Sequence, residues 1–192
     1  WTLENASSGS WFLGVGSEDS GPVTTAYEGQ QNAYYDNGSS GRLVSPTMLL
    51  NGQDSVAVIF AISQAYWPSD QNTTTLAKRN GTSGAWTAVK TYTDNIPQWM
   101  LDTVVVSTTG FDSLQLSFLA VDEIGYNNTI DNFIVESCYI EPTADGNITL
   151  CRSEGSIDLT SVVTPMASGV WNGGTVNSFV NGSMFNISNL ME

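Results

Sequence analysis

The chain has 192 residues, including 19 Asp or Glu, five Lys or Arg and no His, so its formal net charge is −14. Because nucleic acids and anionic membranes bind clustered positive charge, this composition argues against both as partners. The absence of His removes the usual general base, the usual zinc ligand and the usual partner of a Ser or Cys nucleophile, so the chain is expected to bind rather than to catalyse.

The rest of the composition indicates an extracellular or cell-surface protein. Basic residues are scarce, and the polar residues are mainly Ser, Thr, Asn and Gly, which is typical of secreted β modules. No stretch approaches the roughly 18 consecutive apolar residues that cross a bilayer. Membrane insertion is therefore not expected.

The first predicted elements are a short edge strand at residues 43–46 and a strand at residues 56–62. The second is apolar on both faces, which is typical of a strand in the middle of a sheet. Clusters of Gly, Asn, Asp and Ser separate the apolar runs, and no window has sustained helical periodicity. This pattern predicts antiparallel strands joined by turns.

An aromatic pair, Tyr66 and Trp67, follows the second strand in a predicted loop. Aromatic rings bind the apolar faces of sugars, so the pair is a candidate glycan-binding platform. The alternative is an aromatic plug that covers one end of the fold. Both interpretations place the two rings at the end of a strand.

Further strands are predicted at residues 86–92, 101–107, 113–120 and 129–135. In the segment 113–120, apolar residues occupy the even positions from Leu114 to Ala120, and polar residues occupy positions 113, 115 and 117, so the even-numbered side chains are expected to face the core. About eight strands in the first 137 residues predict an all-β fold, a two-sheet sandwich of the jelly-roll type.

The composition changes after residue 137. Residues 138–147 contain proline and small residues and are predicted to be a linker, and residues 148–192 resume a short-strand pattern. About 45 residues are few for an independent sandwich, so this second segment is expected to be a partial repeat that continues beyond Glu192. Cys138 and Cys151 flank the linker, and a disulfide between them would stabilise the chain by up to ~3 kcal/mol if the geometry allows it.

Eight Asn-x-Ser/Thr sequons occur in the chain, and Asn72 and Asn80 begin two of them. In a secreted eukaryotic protein, such positions would carry N-linked glycans on surface loops.

Several short motifs follow one another over residues 1–137. They are Leu3 and Glu4 with Trp11, the segment 41–46 (GRLVSP), the segment 84–86 (GAW), Trp99, and the segment 129–133 (TIDNF). In this order they resemble MAM-type jelly rolls and the cleaved-adhesin domains of bacterial surface proteins. Leu3 departs from the family pattern, which usually has Phe at that place.

The resemblance implies a structural calcium ion held by Glu4 and Asp131, and it implies that Trp86 and Trp99 pack in the core. The alternative for Asp131 is a strand-edge carboxylate that accepts hydrogen bonds from backbone donors. If the source is a Bacteroidota species, the triplets centred on Ser55, Thr103 and Ser113 resemble its O-glycosylation signal. The alternative for these triplets is a polar residue that opens a strand.

In the second segment, Cys151, residues 155–160 (GSIDLT) and residues 168–173 (SGVWNG) resemble repeats of large adhesins. Such repeats occur in Bacteroidota surface and gliding proteins that the type IX system exports. The resemblance implies an Ig-like or partial repeat whose partners include neighbouring repeats of the same protein.

These observations together predict a non-catalytic adhesion module that binds a glycan or a surface protein. Two alternatives stay open, an ancillary carbohydrate-binding module of a secreted hydrolase or protease and a structural spacer of a surface filament. Asp122, Glu123 and Asp131 could supply the carboxylate pair of a glycosidase. Acid pairs arise easily among 19 carboxylates, so an enzyme is not expected.

Overall fold

The computed structural model describes residues 1–4, 10–18, 21–36, 38–143, 146–151, 156–158, 180–181 and 184–186, with side chains up to residue 137. The strands are β1 (Thr2–Glu4), β2 (Trp11–Gly14), β3 (Asn32–Tyr35), β4 (Ser40–Val44), β5 (Met48–Leu49), β6 (Ser55–Gln64), β7 (Thr73–Asn80), β8 (Thr87–Tyr92), β9 (Ile96–Ser107), β10 (Ser113–Val121), β11 (Asn128–Thr143), β12 (Gly146–Cys151), β13 (Ser156–Asp158), β14 (Val180–Asn181) and β15 (Met184–Asn186). Within this described part, no helix is long and apolar enough to cross a membrane.

Two six-stranded antiparallel sheets form a sandwich. Sheet A has the order β1-β4-β10-β7-β8, with β5 also paired to β10, and sheet B has the order β2-β3-β11-β6-β9, with β12 also paired to β11. The chain crosses repeatedly between the two sheets, as in a jelly roll. The predicted all-β jelly-roll sandwich is therefore confirmed, and β13, β15 and β14 form a third, smaller sheet in the second segment.

The core lies between β6 of sheet B and β10 of sheet A. Val58, Phe60 and Ile62 of β6 and Leu116 and Phe118 of β10 are fully buried in one cluster. The rings of Phe60 and Phe118 meet edge to face with centroids 4.8 Å apart. This geometry favours aromatic pairs, so the two sheets are joined at the centre by a specific contact.

Strand β10 faces the core with its even-numbered side chains, as predicted. On its opposite face, the polar residues Gln115 and Ser117 are also buried, which the alternation of the sequence does not indicate. Arg42 donates to the Ser117 hydroxyl at 2.6 Å, and Arg79 Nε donates to Gln115 Oε1 at 2.9 Å. These guanidinium groups cover the middle of the outer face of sheet A and give the buried side chains of Ser117 and Gln115 hydrogen-bond partners.

The order of strands in the sheets shows whether two predicted strands lie at the centre or at the edge. The strand predicted at residues 56–62 lies within β6, between β11 and β9, so its central position is confirmed. The edge strand predicted at residues 43–46 is wrong in position. The corresponding strand β4 lies between β1 and β10, because three residues of β1 pair with its open side.

Strand β11 is longer than predicted and continues to Thr143, and its final residues pair antiparallel with β12. Residues 138–143 and 146–147 of the predicted linker therefore belong to an antiparallel pair of strands, and residues 144–145 lie outside the described part of the chain. The division of the chain into domains at this point stays a prediction.

The register of β11 and β12 places Cys138 directly opposite Cys151. Directly opposite Cα atoms in antiparallel strands are roughly 4.5–5.5 Å apart, which lies within the range that a disulfide spans. The side chains of both cysteines lie outside the described part of the chain. The disulfide stays a prediction, and the backbone register is compatible with it.

Candidate functional site

The aromatic pair predicted from the sequence lies at one end of the sandwich, in the loop between β6 and β7. Tyr66 and Trp67 are 46% and 51% exposed. The Trp67 N–H donates to the Asp70 carbonyl at 3.0 Å, and the Tyr66 N–H donates to Asn95 Oδ1 at 3.2 Å. The backbone beneath both rings is therefore fixed, while the rings extend from it into solvent.

A second loop, residues 122–126 between β10 and β11, is held against the first by Asn72. This side chain is only 3% exposed, and its Oδ1 accepts the N–H groups of Glu123 at 2.7 Å and Gly125 at 2.8 Å. Its Nδ2 donates to the carbonyls of Gly125 and Tyr126 at 3.4 and 3.1 Å. One buried amide thus fixes the relative position of the two loops, and we call it the Asn72 clamp.

A buried polar network lies beneath the loops and joins the two sheets. Gln64 Oε1 accepts the Thr74 hydroxyl at 2.8 Å and Asn128 Nδ2 at 3.2 Å. Gln64 Nε2 donates to the carbonyls of Tyr92 and Asp94 at 3.0 and 3.3 Å, which anchors the loop between β8 and β9. Three loops therefore meet at this end of the sandwich on a hydrogen-bonded base.

Trp67 differs from the other tryptophans in the described part of the chain. Trp1 packs against Phe118 and Phe133, and the indole N–H groups of the remaining three donate hydrogen bonds to the protein. The three bonds are Trp11 to the Gly41 carbonyl, Trp86 to Glu4 and Trp99 to the Thr25 carbonyl. Within the described residues, Trp67 makes neither a ring contact nor a side-chain hydrogen bond, so its ring and its N–H are available to a ligand.

The charge around this aromatic pair has one sign. Residues 65–72, 93–95 and 122–127 include Asp70, Asp94, Asp122 and Glu123 and contain no Lys or Arg. The surface can accept hydrogen bonds from hydroxyl groups, and it repels anionic ligands.

Trp86 and Trp99 are not core residues, in contrast to the positions that the family resemblance implied. Trp86 lies on the outer face of sheet A between the guanidinium groups of Arg79 and Arg42, which are 4.2 and 4.8 Å from its ring centroid. Trp99 contacts Tyr27 edge to face at 6.2 Å, in the segment between β2 and β3. Both are structural, but they pack on the outer faces of the sheets rather than between them.

Glu4 and Asp131, the predicted calcium ligands, belong to different sheets and have different partners. Glu4 in sheet A forms an ion pair with Arg79 at 2.7 Å. Asp131 in sheet B accepts the N–H groups of Tyr27 and Glu28 at 2.8 and 3.0 Å, which corresponds to the alternative of a carboxylate with backbone donors. Among the described residues, no group of three or more metal-ligating side chains occurs. Calcium binding stays a prediction that these contacts do not support.

The ion pair of Glu4 predicts an acid-dependent loss of stability. Partial burial acts to raise the pKa of Glu4, but hydrogen bonds from Arg79 and Trp86 outweigh it, so the pKa lies below the usual 4.5. A carboxyl with a lowered folded pKa stabilises the fold above its unfolded pKa, and this contribution disappears as the pH falls through the folded pKa. We expect Glu4→Gln to destabilise the chain at pH 7, and we expect this difference from the wild type to shrink at acid pH, as the wild-type carboxyl takes up its proton. Urea unfolding at pH 7 and at acid pH measures this.

Glu123→Gln is the control for this prediction, because Glu123 is exposed and lies in a loop without basic residues. An equal loss from Glu4→Gln at both pH values would mean that the ionised form of Glu4 contributes nothing to stability.

The residues predicted to be glycosylated differ in their exposure to solvent. Asn80 and Thr103 are exposed and Ser113 is half-buried, whereas Ser55 is buried. The Nδ2 atom of Asn72, which would carry an N-linked glycan, is part of the Asn72 clamp. A glycan on Asn72 would require the two loops to separate, and its modification stays a prediction without structural support.

No family model matches the sequence, and no curated protein is similar to it. Among solved structures, the chain is similar to a family 61 carbohydrate-binding module in complex with β-1,4-galactotriose, with 13% identity, a TM-score of 0.46, and coverage of 66% of this chain and 88% of the other. It is similar to the K2 cleaved-adhesin domain of Lys-gingipain, with 15% identity, a TM-score of 0.48, and coverage of 69% and 87%. It is also similar to the family 22 xylan-binding module of Xyn10C from Paenibacillus barcinonensis, with 15% identity, a TM-score of 0.46, and coverage of 70% and 83%.

Proposed function

We propose that this chain is a non-catalytic glycan-binding module of an extracellular or cell-surface protein, and that Tyr66 and Trp67 form its binding platform. The observation that carries the proposal is the exposure of the Trp67 side chain and its lack of contacts. Its ring is half-exposed above a fixed backbone, and within the described residues it has no partner of its own. An available aromatic face on a fixed backbone binds a sugar ring with less loss of conformational entropy than one on a mobile loop.

The charge of the surrounding loops selects the class of glycan. Asp70, Asp94 and Glu123 are exposed near the aromatic pair, and no cation in these loops balances them. Uronate or sulfate groups would meet like charge, whereas neutral sugars would donate their hydroxyl hydrogens to the carboxylates. The ligand is therefore an uncharged glycan.

The wider setting of the module is adhesion, as part of a larger surface adhesin of the MAM-like or cleaved-adhesin kind. Its support is the order of motifs over residues 1–137 and the adhesin-like segment that follows Cys151. A role as the ancillary module of a secreted hydrolase or protease would use the same platform, and a catalytic domain in the parent gene would identify that role.

The test is affinity electrophoresis of the chain in gels that contain neutral polysaccharides (xylan, galactan and glucomannan) or anionic ones (polygalacturonate and alginate). We expect retardation by at least one neutral polysaccharide and by neither anionic one. Trp67→Ala should weaken the binding at least tenfold, because the stacking face is lost. Calorimetry with oligosaccharides of the bound polymer measures the change.

Phe12→Ala is the matched control, because Phe12 is also a half-exposed aromatic residue but lies on β2, where it packs against Tyr34. Its binding should equal that of the wild type. Failure of every neutral polysaccharide to retard the chain, or equal binding by Trp67→Ala, would contradict the proposed function.

A further inference from the structure

Ile124 has a backbone conformation that its side chain disfavours. Its φ angle is 70°, in the left-handed region, and its side chain is 64% exposed. The other described non-glycine residues with positive φ are Glu18, Asn51 and Asn132. A β-branched residue in this region is strained by roughly 1–2 kcal/mol, whereas Asn occupies it readily. An isoleucine is therefore unfavourable at this position for two reasons, its strained backbone conformation and its exposed apolar side chain.

The strained conformation is held by the surrounding contacts. The Asn72 clamp fixes the N–H groups of Glu123 and Gly125 on either side, and Asp122 Oδ1 accepts the N–H of Ile124 itself at 2.8 Å. At Gly125 the chain passes so close to the first loop that an added Cβ atom would lie 2.5 Å from the backbone nitrogen of Asn72. The fold thus fixes the Ile124 side chain in solvent, on a loop that contacts the loop of Trp67.

Packing does not explain why an isoleucine occupies position 124. Ile124 is not part of the buried core or of the partly buried hydrophobic residues against it. Strain that the surroundings maintain without a gain in burial is typical of functional sites.

Resting on the proposed function, we infer that Ile124 is a ligand-contact residue, which packs against the sugar unit next to the one that stacks on Trp67. The platform then binds at least two consecutive units of a neutral glycan chain. Ile124 supplies an apolar contact for the second unit, and the Asn72 clamp keeps the two contacts at a constant separation.

The variant Ile124→Asn separates a binding role from a structural one. Asn relieves the backbone strain, so we expect its melting temperature to be equal to or above that of the wild type. We expect its affinity for oligosaccharides of the best-bound neutral polysaccharide to fall about fivefold or more, and its affinity for the corresponding monosaccharide to be unchanged.

Ile134→Thr is the control. Ile134 is another exposed isoleucine, on the outer face of sheet B, where it pairs with Ile59. Ile59 is six residues from Ala65 along the chain, which is roughly 20 Å in an extended strand. Ile134→Thr should bind all ligands like the wild type.

The outcomes distinguish this inference from the proposed function. Wild-type affinity of Ile124→Asn for oligosaccharides, together with a large loss in Trp67→Ala, would overturn the role of Ile124 and leave the glycan platform in place. A melting temperature that falls in parallel with the affinity would also overturn it, because the residue would then be structural. Wild-type binding by Trp67→Ala, or no binding of any neutral polysaccharide, would overturn both.

Discussion

Replacing Phe118 by Ala is expected to lower the free energy of unfolding by about 3–5 kcal/mol, which is a large part of the stability of a typical domain. Phe118 is fully buried on β10. Its ring lies 4.8 Å from that of Phe60 in the opposite sheet and 5.8 Å from that of Phe133 on β11. Its removal would leave a cavity where the two sheets meet, and both would lose aromatic contacts.

Urea unfolding followed by tryptophan fluorescence measures this loss. Phe12→Ala is a suitable control, because it removes an aromatic side chain that is already half-exposed. The control should change the stability by well under half as much. A loss below about 1 kcal/mol for Phe118→Ala would mean that the centre of the sandwich collapses to fill the cavity, contrary to the close packing described above.

Replacing Asn72 by Ala is expected to cost about 3 kcal/mol, because a buried donor or acceptor without a partner costs roughly 1–3 kcal/mol. The variant would leave the N–H groups of Glu123 and Gly125 without their acceptor, and the carbonyls of Gly125 and Tyr126 would lose a donor. The same change releases the loop of Ile124 from the loop of Trp67. We therefore expect glycan affinity to fall as well, although Asn72 is too buried to touch the ligand.

Asn80→Ala is the matched control, since it also removes an asparagine of a sequon but from an exposed position at the end of β7. It should leave both stability and binding close to those of the wild type. If Asn72→Ala were as stable as this control, the Asn72 clamp would not hold the two loops together. If the stability fell but the affinity did not, the relative position of the loops would be irrelevant to binding.

Much of the fold is predictable from local pattern. The alternation in residues 113–120 identifies the core face of β10, and the apolar run at residues 56–62 identifies an inner strand of sheet B. These inferences succeed because the period of a strand is fixed at two residues and because burial on both faces requires apolar residues on both. Tyr66 and Trp67 could also be selected from the sequence, since they are adjacent aromatic residues beside Pro68 in a predicted loop.

The sequence pattern is less informative where a contact joins distant parts of the chain. The family resemblance implied a shared ion at Glu4 and Asp131, which stays a prediction, whereas the partners in the structure are Arg79 for Glu4 and backbone N–H groups for Asp131. The alternation of β10 places Gln115 and Ser117 away from the core but does not show that Arg42 and Arg79 cover them. In both cases the partner is more than 30 residues away in sequence, and no local period encodes it.

By itself, the sequence determined the β architecture, the core faces of the main strands, the acidic character that argues against polyanionic partners and the aromatic pair proposed as the platform. Only the tertiary structure decided that Trp86 and Trp99 lie outside the core, that Trp67 alone among the described tryptophans lacks a partner, and that Asn72 joins its loop to the strained Ile124. The physical reason is the range of the interactions. Strand periodicity and charge are properties of neighbouring residues, whereas the loops at residues 65–72 and 122–126 meet only after the two sheets have packed.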